Sequence, residues 1–254
     1  MPPISPSRKH VLCVIPARMG STRIKHKNLR EIESSVSLVR QAYDIADGFF
    51  SCISTDQPAL LPGDLKESFI VKRPLEISDA VSNVSFAISH ALVKAEEYYE
   101  LEFEFVVTLM PAIAARSRGI LKTMLEFLDG DNHIESAMTC AHTHPWIWKV
   151  RTGSRKAANT WHPNPQRNSQ DLPEYLVEHA SIIINRRKNV LSGKKWELPL
   201  LIYSLPSWAT ALDIDIERDL EHAKVLYPAM KQLLDTWRGE CYLIDGCSSI
   251  IPDA

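Results

Sequence analysis

The chain lacks both of the glycine-rich motifs that typically bind nucleotide phosphates in α/β proteins. It contains neither GxxxxGK[ST] nor GxGxxG, so the sequence excludes a P-loop and a Rossmann dinucleotide turn. CxxC is absent too, and the 5 cysteines are scattered at Cys13, Cys52, Cys140, Cys241 and Cys247. This odd, unpaired set favours reduced thiols in a cytoplasmic protein over a disulfide framework or a zinc site.

Long apolar runs and an excess of positive charge are absent as well. No run reaches the ~18 residues of a membrane span, and the opening MPPISPSRKH contains no apolar signal-peptide segment. We expect residues 1–10 to form a flexible leader. The formal net charge is −2 and the cations concentrate in one loop, which argues against a nucleic-acid-binding protein.

Short apolar segments alternate along the chain with helical patterns. The predicted strands are VLCVIPA, FFSCISTD, SFIVKRP, FEFVVTLMP, IESAMTCA, HASIIINR and LLIYSLP. An apolar stripe with helical spacing predicts a helix over Val84–Tyr99, and Ser117 and Gly130 are a candidate N-cap and stop for a second helix. This alternation predicts an α/β fold with a mainly parallel sheet and helices on both faces, in a single domain over residues 11–238.

Two segments depart from this alternation. Residues 140–187 are rich in Pro, Asn, Trp and His, and they end in the predicted strand HASIIINR. Irregular insertions of this length are often lids, binding loops or subunit contacts. Residues 239–254 form a C-terminal tail that has no functional interpretation from the sequence.

The loop after the first strand combines positive charge with small and hydroxyl-bearing residues. In ARMGSTRIKHKN, the cations Arg18, Arg23, Lys25 and Lys27 surround the tripeptide Gly-Ser-Thr. Free backbone N–H groups beside several cations suit a polyanion such as a triphosphate. The alternative is a solvated loop whose cations only maintain solubility.

A second chemical signal is the segment TALDIDIERDL. In a strand, Asp213 and Asp215 would project from the same face, and two adjacent carboxylates repel each other unless a cation lies between them. Oxygen ligands of this kind suit Mg²⁺. Asp219 would lie at the start of the following helix, where a carboxylate complements the helix dipole. The alternative is a polar strand end that binds no metal.

Five segments together resemble the CMP-sugar-acid synthetases, the cytidylyltransferases that act on sialic and related nonulosonic acids. VIPARMGSTRIKHKNL resembles the signature I-P-A-R-x-G-S-[KT]-x-[IL]-x-x-K-N-[IL], and CISTD resembles V-S-T-D. KRPLEISDAVSNVSFAISHAL, NSQDLPEYLVEHASIIINRR and LDIDIERDLEHAKVL resemble the later motifs of the family in the same order. The resemblance covers nearly the whole chain.

The resemblance implies a nucleotidyltransferase fold, Rossmann-like in architecture, and Mg²⁺-dependent transfer of CMP from CTP to an acidic acceptor with release of pyrophosphate. It also implies a homodimer in the cytoplasm, with the 140–187 insertion reaching the partner subunit. By carry-over, Asp213 and Asp215 would hold Mg²⁺, while Lys27 and Arg18 would take part in catalysis. The implied nucleotide-binding residues are Arg18, Ser21, Arg23, Lys27, Asn28, Arg73 and Ser82.

The acceptor-side motifs depart from the family pattern. TLMPAIAARSR stands where the family has L-Q-P-T-S-P-L-R, so that Met110 replaces a glutamine and apolar residues replace Thr-Ser-Pro. His179-Ala180 replaces Asn-Gly before the last large strand. Met110, Lys149, Arg167 and Gln170 are the candidate acceptor-binding residues.

These departures leave three hypotheses open. The acceptor is a nonulosonic acid of the sialic type, or it is a smaller anionic compound such as a phosphonate or another sugar acid. Alternatively, the chain is a CTP-binding pseudoenzyme or assembly partner without turnover. An apolar wall disfavours a polyhydroxylated acceptor, because buried hydroxyls would lack partners.

Overall fold

The computed structural model describes residues 11–78, 83–143, 148–150, 157–159 and 174–246, the two three-residue segments by their backbone alone. An 8-stranded sheet forms the centre of the fold. Its strands are β1 (Val11–Pro16), β4 (Phe50–Thr55), β5 (Ile70–Lys72), β6 (Phe105–Leu109), β7 (Ser136–Thr143), β10 (Tyr175–Arg186), β11 (Leu200–Leu205) and β12 (Cys241–Ile244). Their spatial order across the sheet is β12-β11-β7-β10-β6-β1-β4-β5. Two small hairpins lie outside it, namely β2 (Glu31–Glu33) with β3 (Val36–Ser37), and β8 (Trp148–Val150) with β9 (Ala157–Asn159).

Most neighbouring strands run parallel. β1 pairs in parallel with β4 and β6, β4 with β5, and β7 with β11. The long β10 lies antiparallel between β6 and β7, and β12 is antiparallel to β11 at the edge. The mainly parallel α/β sheet predicted from the sequence is confirmed.

Helices connect the strands and cover the sheet. They are α1 (Leu38–Ile45), α2 (Val84–Tyr99), α3 (Arg118–Gly130), α4 (Arg187–Leu191) and α5 (Glu217–Thr236). The predicted bounds of α2 agree with the structure, and α3 begins after the predicted cap, where the Ser117 hydroxyl accepts the Ile120 N–H at 3.2 Å. Asn83 caps α2 through the N–H of Ser85 at 3.0 Å. Among the described residues, no helix has the length and apolar character needed to span a membrane.

The apolar run of β1 is explained by burial on both faces of the sheet. Val11, Cys13 and Ile15 belong to the larger apolar cluster, which includes side chains of α1, α3 and α5. Leu12 and Val14 pack on the opposite face with side chains of α2. Since neither face meets solvent, every position of this strand is apolar, as is typical of parallel sheets.

The sheet extends beyond residue 238, the expected end of the domain. Cys241–Ile244 pairs with Leu200–Tyr203 of β11. At the entry to this strand, the Gly239 N–H donates to the Tyr203 hydroxyl at 2.8 Å, and a Cβ at this position would lie 2.1 Å from the Ser204 carbonyl oxygen. The first part of the tail is therefore an integral edge of the central sheet.

Candidate active site

A cavity of about 550 Å³ lies beyond the carboxyl ends of β1 and β6. We call it the basic cavity. It brings together residues of the first loop, the segment after β6 and the segment before α5, which are far apart in sequence. Of the residues predicted to form the site, it is lined by Arg18, Ser21, Arg23, Lys27, Asn28, Arg73, Met110, Asp213 and Asp215.

Hydrogen bonds fold the basic loop back on itself and onto its neighbours. The buried Asn28 amide donates to the Arg18 carbonyl oxygen at 2.8 Å, and the Met19 N–H donates to Asp56 Oδ1 at 2.8 Å. Lys27 Nζ donates to the Ile214 carbonyl oxygen at 2.7 Å. The loop is thus held in a fixed shape beside the aspartate segment, which is not expected of a merely solvated loop.

The aspartate segment is extended but is not a strand of the sheet, so the prediction of a strand was wrong. A short 3-10 helix over Ser207–Leu212 precedes it, and Asp213 forms a single antiparallel bridge with Ile113. The Ile214 N–H donates to the Ala112 carbonyl oxygen at 2.9 Å. The alternation expected of a strand persists locally, however, and both Asp213 and Asp215 line the basic cavity.

The two carboxylates have different surroundings. Asp215 accepts from Arg23 at 2.7 Å and lies 3.4 Å from Lys27. Asp213 has a raised pKa, because partial desolvation disfavours its charge and because Asp215 adds repulsion, although Lys27 partly offsets both. Added positive charge at this point would favour the ionised form of Asp213.

This pair fits a divalent cation through its oxygen donors and through the incompletely compensated charge of Asp213. No group of three or more potential His, Cys, Asp or Glu ligands occurs in the described part of the chain. A cation at Asp213 and Asp215 would therefore need further oxygen ligands, of the kind that phosphates or waters supply.

Asp219 shapes the segment rather than lining the cavity. Its Oδ2 accepts the backbone N–H groups of Asp215 and Ile216, both at 2.8 Å, and these bonds lower its pKa. It lies in the first turn of α5, where its charge also favours the helix dipole. Asp219 thus fixes the backbone that presents Asp215.

Arg73 contributes a cation that is nearly fully buried. Its guanidinium donates to the Ser54 hydroxyl at 3.2 Å and to the Ser54 carbonyl oxygen at 3.0 Å. Burial lowers its pKa to about 10, with Asp56 opposing and Arg18 reinforcing the shift. These bonds anchor Arg73 to the end of β4.

A second cavity of about 300 Å³ adjoins the basic cavity. We call it the adjoining cavity. The two cavities share Val84, Met110, Ile113 and Asp213. The other residues around the adjoining cavity are of mixed character. The apolar ones are Ile88, Ala180, Ile183 and Val190, and the polar or charged ones are Ser85, Thr108, Glu178, His179, Asn185, Lys194 and Lys195. Asp213 therefore lies where the two cavities meet.

His179 is a buried polar group in the wall of the adjoining cavity. Its side chain is 4% exposed, and neither ring nitrogen has a hydrogen-bond partner among the residues that the structure describes. Burial lowers its pKa to about 4, and Arg116 adds a smaller effect in the same direction. A backbone interaction with Ala209 opposes the shift without reversing it. The imidazole is therefore neutral at physiological pH.

The acceptor-side predictions are placed only in part. Met110 lies in the shared wall of both cavities. Ser82, Arg167 and Gln170 lie outside the described residues, and Lys149 is described only as a backbone position in β8.

Neither Arg116 nor His179 was a predicted binding residue, although His179 is one of the acceptor-side departures. Arg116 lies at the end of the apolar segment MPAIAAR, and His179 lies in the predicted strand HASIIINR. A polar residue within or next to an apolar run was the available signal in both cases. Which long-range partners surround these two side chains could not be read from a local pattern.

Comparisons with known proteins agree with this geometry. Residues 12–61, which contain β1, the basic loop and β4, match a family described as Cytidylyltransferase. Post-translational flagellin modification protein B of Campylobacter coli is 27% identical over 231 residues, covering 85% of this chain and 94% of that protein. The resemblance to the cytidylyltransferases is confirmed.

Solved structures of cytidylyltransferases share the fold. CMP:2-keto-3-deoxy-manno-octonic acid synthetase, solved with CTP, is 17% identical with a TM-score of 0.58, over 86% of this chain and 98% of that chain. 4-Diphosphocytidyl-2C-methyl-D-erythritol synthase of Anaerococcus prevotii is 9% identical with a TM-score of 0.52, over 87% and 96% of the two chains. These likenesses show that the chain has the nucleotidyltransferase fold, and the match of residues 12–61 to the cytidylyltransferases indicates an enzyme.

Proposed function

We propose that the chain is a Mg²⁺-dependent cytidylyltransferase that joins CMP from CTP to an acidic acceptor and releases pyrophosphate. The observation that supports this most directly is the position of Asp213 between a cavity rich in cations and a smaller one with both apolar and polar residues in its wall. A nucleotide in the basic cavity and an acceptor in the adjoining cavity would meet at this carboxylate. The similarity of residues 12–61 to cytidylyltransferases supports CTP as the nucleotide.

The residues of the basic loop would bind the triphosphate. Arg18, Ser21, Arg23, Lys27 and Asn28 are assigned to this role, with Asn28 acting through the shape of the loop because its amide bonds the Arg18 backbone. Arg73, together with Ser82, would border the cytosine and ribose. Such cations position the phosphates and stabilise the charge that develops on the departing pyrophosphate.

Asp213 and Asp215 would hold the Mg²⁺ ion. When bound, the cation would neutralise phosphate charge and polarise the phosphoryl group. Asp215 is paired with Arg23 and Lys27. It would bind the Mg²⁺ ion while those two cations turn toward the triphosphate. The raised pKa of Asp213 would fall on binding, because the cation offsets the repulsion from Asp215.

The acceptor is proposed to be a sugar acid with few hydroxyl groups on the side that faces the adjoining cavity. Apolar side chains such as Met110, Ile113 and Ile183 cannot satisfy buried hydroxyls. A nonulosonic acid remains the first candidate, in keeping with the synthetase of the solved structure, whose name specifies a keto-deoxy sugar acid. A smaller anionic acceptor is the alternative that the apolar lining favours.

The test of the activity is pyrophosphate release with CTP, Mg²⁺ and a panel of nonulosonic acids, other sugar acids and phosphonates. We expect release with CTP and at least one acid, and little with ATP, GTP or UTP. CTP binding without release for any acid would instead indicate a nucleotide-binding assembly partner. Light scattering on the same sample tests the homodimer expected from the resemblance.

The choice of acceptor is tested by Met110→Gln. We expect the kcat/KM of the unaltered enzyme for N-acetylneuraminate to be about a hundredfold lower than for its preferred acceptor. The reason is that each unpaired buried hydroxyl costs about 1–3 kcal/mol. The glutamine would restore a hydrogen-bonding group and shift the preference toward the hydroxylated sugar. Efficient turnover of N-acetylneuraminate by the unaltered enzyme would refute the apolar-wall argument.

A further inference from the structure

Arg116 is a buried cation at the back of the site. It is 3% exposed and forms no ion pair within the described part of the chain. Burial lowers its pKa to about 9, which reflects how strongly the interior disfavours its charge. A buried guanidinium is tolerated only where its N–H groups have partners.

The N–H groups of Arg116 bond three different parts of the fold. Nη2 donates to the Met110 carbonyl oxygen at 2.7 Å, and Nη1 donates to the Ser181 carbonyl oxygen of β10 at 3.1 Å. Nε donates to Gln41 Oε1 of α1 at 3.1 Å. One side chain therefore ties the segment after β6 to β10 and α1.

The segment that Arg116 holds is the wall between the two cavities. Met110 and Ile113 line both cavities. The same segment supports the aspartates: the Ile214 N–H bonds the Ala112 carbonyl oxygen, and the Ala114 N–H bonds the Leu212 carbonyl oxygen, each at 2.9 Å. The short stretch of residues 110–114 thus joins the hydrogen bond of the guanidinium to those that hold the backbone on either side of Asp213.

We propose that Arg116 is a positioning residue for cytidylyl transfer, which fixes the wall of residues 110–114 and, through it, the carboxylate of Asp213. The inference rests on the proposed function. Arg116 touches neither substrate nor metal and acts through the wall. The rigid planar guanidinium can donate to several carbonyl oxygens at once. A lysine ammonium at the end of a flexible chain cannot donate to the same acceptors.

The test compares Arg116→Lys and Arg116→Met with Arg118→Met as the matched control. Arg118 lies two residues further on, but it points to α1 and bonds the Asp44 carbonyl oxygen at 2.7 Å, away from the wall. For each variant, kcat, KM for CTP and the Mg²⁺ concentration for half-maximal rate are measured. Mn²⁺ binding in the presence of CTP, followed by electron paramagnetic resonance, gives a readout independent of turnover.

For both Arg116 variants we expect kcat to fall by about tenfold or more while KM for CTP changes by less than about threefold. The half-saturating Mg²⁺ and the Mn²⁺ dissociation constant should both rise by about fivefold or more, because Asp213 is no longer held in place. The Arg118→Met enzyme should match the wild type in every measurement.

Two results would overturn the proposal. One is a folded Arg116→Lys enzyme whose kcat and metal affinity stay within about threefold of wild type. The other is a loss of kcat that is no larger than the loss of folded protein, while the metal affinity of the folded protein is unchanged. If both variants fail to fold, Gln41→Met removes the Nε partner together with the Gln41 Nε2 bond to the Ala114 carbonyl oxygen of the wall at 3.4 Å, and unchanged metal affinity in that variant refutes the proposal. Absence of turnover in the wild type would instead refute the proposed function.

Discussion

Two cations of the basic loop, Arg23 and Lys27, share the carboxylate of Asp215 as a partner. Arg23 and Lys27 contact Asp215, and Lys27 also donates to the Ile214 carbonyl oxygen. These exposed or partly exposed pairs contribute little to stability. Their arrangement would therefore serve the proposed binding of a triphosphate and a metal more than the stability of the fold.

We predict that Arg18→Ala weakens CTP binding far more than CMP binding. A charge-assisted contact to the β- or γ-phosphate is worth about 1.5–3 kcal/mol, and CMP lacks both groups. Isothermal titration calorimetry with the two nucleotides checks this, and Lys231→Ala is the control because Lys231 pairs with Glu33 away from both cavities. Equal losses for CTP and CMP would remove Arg18 from the triphosphate.

Because His179 is buried, we predict that the unfolding free energy of the protein depends on pH. The pKa of His179 is about 4 in the folded protein against 6.5 ordinarily, so the unfolded chain binds the proton more tightly. The contribution of the neutral imidazole to the unfolding free energy is thus fully present above about pH 6.5. It is lost as the pH falls toward about 4, and the loss is roughly 3 kcal/mol at most. In His179→Gln, the fall in unfolding free energy between about pH 7 and pH 4 should be smaller by about 2–3 kcal/mol.

Chemical denaturation at the two pH values measures that difference. The glutamine has no titrating group but retains polarity and similar volume, so other acid-sensitive residues cancel between the two proteins. An identical pH dependence in wild type and variant would show that His179 is not held neutral by burial.

Among the helices and strands, the sequence predicted the ones that are determined by local features of their own residues. The apolar stripe of α2 and the Ser117 cap of α3 are local features, and both helices begin where the pattern indicates. The antiparallel direction of β10 depends on pairing with β6 and β7 and was not derivable from its apolar run. Long-range pairing also turned the expected strand of Asp213 into an isolated bridge with Ile113.

The edge strand β12 depends on a glycine. Gly239→Ala should destabilise the protein by about 1–3 kcal/mol or more, because its Cβ would overlap the Ser204 carbonyl oxygen and the Tyr203 ring. Gly130→Ala is the matched control, since a Cβ there meets nothing within 4 Å, and its effect should stay within about 0.5 kcal/mol. Thermal or urea unfolding compares them, and equal stability of the two variants would contradict the close approach.

For the whole molecule, the sequence predicted which residues meet in the basic cavity but not how they are held. The motif order identified Arg18, Lys27, Asp213 and Asp215, and the structure places all of them around one cavity. The support provided by Arg116 arises from contacts between α1, β10 and the segment after β6, and His179 is buried in the folded chain. Such contacts join residues far apart in sequence, so no local pattern indicates them.

The central claim is that cytidylyl transfer takes place where the two cavities meet, at Asp213. Its most direct test is Mg²⁺-dependent pyrophosphate release from CTP, with a saturating acid acceptor, by wild type and by Asp213→Asn. The substitution conserves volume and removes the charge that would hold the cation, so the variant should fold normally yet retain less than about a tenth of the wild-type kcat. A folded variant with more than about a tenth of that rate, a loss below roughly 1.4 kcal/mol, would contradict the account.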